Sequence, residues 1–207
     1  MSVMEELKRR INDMDDGKIM MTSDFADLAS ITTIRKCLGR CVNEGLIRRI
    51  FDGVYEKPKY SSLLEEYLPA DPEEIAYALA KAYHWTIAPC EDIALNKLGL
   101  STQVPAVWSY VSDGPYREYS WGSVRLKFKH RANREISMLS PRTVLVIEAI
   151  RALGKDGITE DIIAKLQRTI PETDKKLLLT EAMTCSEWIY EDIRKVCSIN
   201  EKNCRII

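Results

Sequence analysis

Only two histidines, His84 and His130, occur among the 207 residues. No serine or cysteine forms a recognisable nucleophile motif with either, and neither belongs to a helical H-x-x-x-H pair, so both are read as structural. Six cysteines, Cys37, Cys41, Cys90, Cys185, Cys197 and Cys204, include no C-x-x-C pair. A zinc ribbon and a secreted disulfide framework are therefore not suggested, and the thiols are expected to be free and buried. Gly-rich phosphate loops, internal repeats and low-complexity tracts are missing too, and nothing calls for a metal or cofactor. No uncharged run approaches about 18 residues, and the first ten residues carry Glu5, Glu6, Lys8, Arg9 and Arg10 where a signal peptide would have an apolar core. The chain is expected to be cytoplasmic and without a membrane partner.

What is present is an ordinary globular composition, with 45% hydrophobic and 29% charged residues, far from the disordered regime. The formal net charge of -1 conceals an uneven distribution. Residues 31–60 hold seven Lys or Arg (Arg35, Lys36, Arg40, Arg48, Arg49, Lys57, Lys59) against Glu44, Asp52 and Glu56, a local excess of +4, whereas residues 1–30 carry -3. Local charge bears on nucleic-acid binding more directly than the average does.

Met4, Leu7, Ile11 and Met14 recur at helical spacing and predict a helix over 3–14, ended by Asp15-Asp16-Gly17. Thr22 is expected to cap a second helix through Leu28, and Ser30 a third over 31–44, each hydroxyl accepting from an amide of the first turn. Gly45 suits the left-handed position that ends a helix. The β-prone runs Leu46 to Phe51 and Val54 to Lys57 flank Asp52-Gly53, a two-residue hairpin turn. Three helices and a hairpin predict a winged helix-turn-helix over residues 1–60.

Residues 60–72 are expected to be a linker. Residues 61–207 predict a second, α+β domain, with helices over 72–84 and 89–98 and a three-stranded meander in 104–130. Four C-terminal helices should follow, over 141–153, 159–169, 171–184 and 186–198. The fold class is thus α+β: an N-terminal winged helix followed by a small antiparallel sheet and C-terminal helices. Trp85, Trp108, Trp121 and Trp188, with Tyr83 and Tyr110, are scattered over several elements and read as core packing, not a base-stacking platform.

On a 100° wheel the third helix turns Ile31, Ile34, Leu38, Cys41 and Val42 to one side, the expected core stripe. Thr32, Thr33, Lys36, Arg40 and Asn43 lie opposite, the hydrogen-bonding and cationic types that reach base edges or phosphates from the major groove. Arg48, Arg49, Lys57 and Lys59 flank the hairpin, where a wing would clamp the DNA backbone. A second basic stretch holds Arg117, Arg125, Lys127, Lys129, Arg131 and Arg134 against Glu118. It is expected to offer a partner surface, to protein or to DNA, with a solvated edge strand as the plain alternative.

Several runs resemble AbiEi-type antitoxins: Phe25-Ala26-Asp27-Leu28, Thr33 through Arg40, Glu44 through Ile50 and Gly53 through Pro58 in the first domain. In the second they are Ala88-Pro89, Ala94 through Leu100, Ser112-Asp113-Gly114, Phe128 through Arg131 and Ala149 through Gly154. The first set is shared with many repressors, so the second carries the specificity. The resemblance implies a transcriptional autorepressor that binds double-stranded DNA upstream of its own operon. It also implies that the second domain acts as the antitoxin of a toxin-antitoxin (abortive infection) pair, against a nucleotidyltransferase-like toxin. Two other readings are a winged-helix protein-interaction module that never touches DNA and a nucleic-acid-processing enzyme. A nuclease would need Glu-x-Lys on a strand, whereas the strand reads Arg125-Leu126-Lys127.

Overall fold

The computed structural model describes residues 2–198, a mixed α+β chain with small antiparallel sheets. Cys204 lies outside the described residues. Two compact units divide the chain, Met1–Trp85 with Tyr119–Leu126, and Thr86–Glu118 with Lys127–Ile207. Residues 61–85, expected with the second domain, group with the first unit. No described helix is long and apolar enough to cross a membrane.

In the first unit, α1 (Val3–Asn12) starts at a reciprocal cap in which Ser2 accepts from the Glu5 amide while Glu5 accepts from the Ser2 amide. Its stripe buries Leu7 and Ile11. A short strand that the sequence reading lacks, β1 (Ile19–Met21), follows with all three residues buried. The helix expected over 22–28 is only a 3-10 turn, Thr22–Phe25. The reason lies in Thr22, whose backbone amide and hydroxyl both donate to the Gly53 carbonyl, at 3.0 and 3.5 Å, so that it continues the β1 ladder and does not cap a helix. Asp24 instead holds the Met21 amide at 2.7 Å.

The next helix, α2 (Ile31–Asn43), begins as expected at Ser30, whose oxygen accepts from the Thr33 amide. It ends through Gly45, at φ +75, with the Leu46 amide reaching back to the Cys41 carbonyl at 3.0 Å. Strands β2 (Arg48–Phe51) and β3 (Val54–Glu56) flank the Asp52-Gly53 turn, and the sheet order is β1-β3-β2, antiparallel throughout. Ile34, Cys37, Leu38 and Cys41 of α2 join Leu7, Ile11, Met20, Phe25, Ile47 and Tyr55 in one core. Ile31, placed by the wheel in the core stripe, is exposed, because the first turn of α2 extends past this seat. The expected linker forms a small hairpin, β4 (Tyr60–Ser61) with β5 (Glu66–Tyr67), in which Tyr60 and Tyr67 meet edge-on. Asp71 and Pro72 then open α3 (Pro72–Tyr83), which packs on β1.

In the second unit, β6 (Ile87–Pro89) precedes α4 (Glu91–Lys97). Strands β7 (Trp108–Ser112), β8 (Arg117–Trp121) and β9 (Val124–His130), of which Tyr119–Leu126 is counted with the first unit, complete a four-stranded sheet of order β6-β7-β9-β8. The expected meander would have set β8 between β7 and β9. Instead β9, with Leu126 and Phe128 fully buried, is central, and the polar β8 takes the edge. Helices α5 (Asn133–Ile136), α6 (Pro141–Leu153), α7 (Glu160–Thr169), α8 (Glu172–Ala182) and α9 (Glu187–Cys197) follow. Val146, Ile147, Ile150, Leu166, Leu178, Ile189 and Ile193 pack together at the centre of this helical layer.

Cys37, Cys41, Cys90 and Cys197 are free and buried, and Cys185 is free and half-buried. Burial pushes the Cys90 thiol up from 9.0 to about 12, with the Glu148 and Glu91 carboxylates adding to the effect. The sign of the consequence follows from proton binding. Between pH 9 and 12 the folded state keeps a proton that the unfolded chain releases, so this stabilisation is complete below pH 9 and is lost as pH rises toward 12. Urea midpoints across that window should fall more steeply for the native chain than for Cys90→Ala; parallel slopes for the two would refute the assignment.

Candidate nucleic-acid interface

The outward face of α2 is built by its caps and its buried stripe. Seating Ile34, Leu38 and Cys41 in the core turns Thr32, Thr33, Lys36, Arg40 and Asn43 to solvent, and all five are exposed. Thr33 contributes to the cap as well, its hydroxyl 3.0 Å from that of Ser30. Among the described residues neither Lys36 nor Arg40 has an ion-pair partner, and Arg35, exposed beside them, has none either. The acidic groups nearest in sequence are engaged elsewhere: Glu44 pairs with Lys8 at 2.5 Å, and Asp52 pairs with Arg49. The face therefore presents uncompensated positive charge.

The four cations expected along the hairpin divide into two kinds. Arg48 bonds Glu56, which is 2% exposed and sits across the β2–β3 ladder from it, and also the Leu68 carbonyl. Lys57 donates to the Asn12 and Met14 carbonyls, at 3.0 and 2.6 Å, and pairs with Asp16 at 3.3 Å. Both are structural ties within the first unit, so neither is held out toward a ligand. Arg49 is exposed with only the exposed Asp52 as partner, and Lys59 is exposed. Exposed pairs of the Arg49 kind contribute little and exchange readily.

Between α2 and the hairpin runs a groove of about 290 Å³, lined by Arg35, Gly39, Val42, Asn43, Arg49, Asp52 and Tyr55. Arg35, Gly39 and Tyr55 were not singled out by the sequence reading. Arg35 and Gly39 lie on the flank of α2 that turns toward the hairpin, and the direction of that flank is set by the sheet rather than by the helix alone.

The second basic stretch is altered more. Lys127 pairs with Glu118 at 3.5 Å, Lys129 with Glu91, and Arg131 with Glu148 at 3.2 Å. Only Arg117, Arg125 and Arg134 remain exposed and without a carboxylate partner among the described residues. Of Arg125, Lys127 and Lys129, which alternate along β9, only Arg125 is left without a carboxylate, because neighbouring elements supply Glu118 and Glu91 to the other two. Glu148 of α6 also takes Arg151 at 2.6 Å, and Arg151 reaches Glu135 at 2.8 Å. Arg131, Glu148 and Arg151 line a cavity of about 550 Å³ together with Cys90, Glu91, Asp92 and Lys129.

Residues 6–178, which include parts of both units, match the model of a family described as one of unknown function. The chain belongs to the DUF6088 family. No curated protein matches it. The aligned stretch includes α2, the hairpin, and the four-stranded sheet with its ion pairs.

Among the described residues of this DUF6088 member there is no group of three or more His, Cys, Asp or Glu placed to hold a metal ion. His130 donates from Nδ1 to the Gly114 carbonyl at 2.9 Å, and His84 closes α3 in a left-handed conformation. The aromatic residues separate by environment. Tyr110 is fully buried, Phe51 contacts Tyr119 and Trp121 with ring centroids 5.3 and 5.6 Å apart, and Tyr83 stacks on Trp85 at 4.8 Å with Tyr83 half exposed.

Proposed function

We propose that residues 1–60 act as a winged helix-turn-helix that binds double-stranded DNA, with α2 entering the major groove and the β2–β3 hairpin as the wing. The observation that carries this reading is the exposed, uncompensated row of Thr32, Lys36, Arg40 and Asn43 on α2. Threonine and asparagine can read base edges, while the two cations neutralise phosphates or bond guanine. On the wing the reading assigns backbone contact to Arg49 and Lys59, and gives Arg48 and Lys57 the task of fixing the hairpin. With its resemblance to AbiEi-type antitoxins, the chain is proposed to be a cytoplasmic autorepressor. Its second domain is proposed to be the antitoxin of a nucleotidyltransferase-like toxin, with Arg117, Arg125 and Arg134 as the cations open to that partner.

The test is an electrophoretic shift with duplex DNA from upstream of the chain's own reading frame. Binding is expected to weaken steeply with salt, and Lys36→Ala with Arg40→Ala to weaken it by roughly 10- to 100-fold while reducing the salt slope by about 2. Binding indifferent to both salt and the double substitution would count against the reading.

The exposed β4–β5 hairpin favours a second reading, a protein-interaction module. Leu63 and Leu64 at its tip are 90% and 59% exposed, beside the exposed Tyr60 and Tyr67, and an apolar projection of this kind marks a contact site. Co-purification with the neighbouring gene product, lost on Leu63→Ser and Leu64→Ser in a chain that shifts no DNA, would favour it.

A further inference from the structure

Gly39 stands in the interior of α2, where glycine weakens a helix relative to alanine through greater chain entropy and a missing side chain. The fold does not require it there. Its backbone is ordinary right-handed helix, and a methyl group built on it meets no atom within 4 Å outside its own helix backbone and chain neighbours. At Gly157, by contrast, the same methyl would collide with the Leu153 carbonyl. Gly39 is therefore a position whose glycine is unexplained by packing or by backbone conformation.

The space that a side chain at Gly39 would enter is the groove between α2 and the hairpin. Arg35 and Asn43 line it on the α2 side and Arg49 on the hairpin side, together with Val42, Tyr55 and the Asp52 carboxylate that Arg49 holds, so three donor-bearing side chains border the one lining position of α2 that has no side chain. A guanidinium pair suits phosphate oxygens, and the Asn43 amide adds a further donor. We propose that Gly39 is a close-approach position, where a phosphodiester segment of duplex DNA lies directly against α2 between Arg35 and Arg49. The inference rests on the DNA-binding reading above and adds to it a residue that makes contact by lacking a side chain. Arg49 exchanges its exposed partner Asp52 for the phosphate, a swap between two solvated ion pairs.

The experiment compares the full chain with Gly39→Ala and Gly39→Leu, by thermal unfolding and by anisotropy of a labelled duplex from upstream of its own reading frame, at low and high salt. Both variants are expected to unfold at the native temperature or above it, with a gain of about 1–4 °C for alanine. Affinity should nevertheless fall, modestly for alanine and by roughly tenfold or more for leucine. Native affinity in both variants would overturn the inference. So would a lowered melting temperature with loss of helix signal, since the glycine would then be serving the fold. If the native chain itself shows no salt-sensitive binding to that duplex, the DNA reading fails and the inference with it, whereas salt-sensitive binding that both variants retain overturns the inference alone.

Discussion

Leu38→Ala is expected to destabilise the first unit by about 2–5 kcal/mol, the range for removing a fully buried leucine side chain from a packed core. Leu38 is completely buried, and it shares its cluster with Leu7, Ile11, Phe25, Ile34, Cys41, Ile47 and Tyr55. No other α2 residue lies so squarely opposite Lys36, Arg40 and Asn43, so the cavity left by the substitution would loosen the seat that aims the polar face. Urea unfolding followed by circular dichroism measures the cost, and the duplex-binding assay measures its consequence. Affinity should fall in proportion to the unfolded fraction, whereas the Lys36 and Arg40 substitutions, both on the surface, should change the unfolding free energy by no more than about 0.5 kcal/mol. A Leu38→Ala cost below about 1 kcal/mol would mean that α2 is not anchored through this residue.

The second large effect is expected in the ion network of the other unit. Glu148, 4% exposed, is shared by Arg131 and Arg151, and removing one member of a buried pair leaves a charge without compensation. Glu148→Leu should cost about 3–5 kcal/mol on that ground. Arg151 would keep Glu135, so the orphaned charge is chiefly that of Arg131. Converting Arg131 to Met in the Glu148→Leu background should restore much of the loss, because two apolar side chains of similar volume then replace the pair. Chemical unfolding of the two single variants and the double variant forms the cycle that measures the coupling. Additive costs would show that water in the adjoining cavity already screens the pair.

For function, the network matters because it determines what β9 and its surroundings can offer. Read as a string, the stretch from Arg117 to Arg134 looks like a basic surface. Folded, half of its cations are bound to Glu91, Glu118 and Glu148, and the charge left for a partner is that of Arg117, Arg125 and Arg134. Substituting these three is the economical way to look for the partner surface, since the others would perturb the fold.

The features determined by the sequence alone are those that depend on neighbours a few residues apart. The Ser30 cap, the stripe of Ile34, Leu38 and Cys41, the stop at Gly45 and the Asp52-Gly53 turn all follow from helical periodicity, hydroxyl chemistry and positive φ, and each stands where the residues predict it. Tertiary structure decided the rest. The Gly53 carbonyl, 31 residues from Thr22, turned a predicted cap into the end of a strand. Pairing of β7 with β9 moved β8 to the edge, and carboxylates of other elements withdrew Lys129, Arg131, Arg48 and Lys57 from the exposed charge. A residue's own type and spacing fix which way it faces along a helix or strand, but the availability of its charge is set by what the fold brings within about 4 Å of it, where the electrostatic interaction is strong.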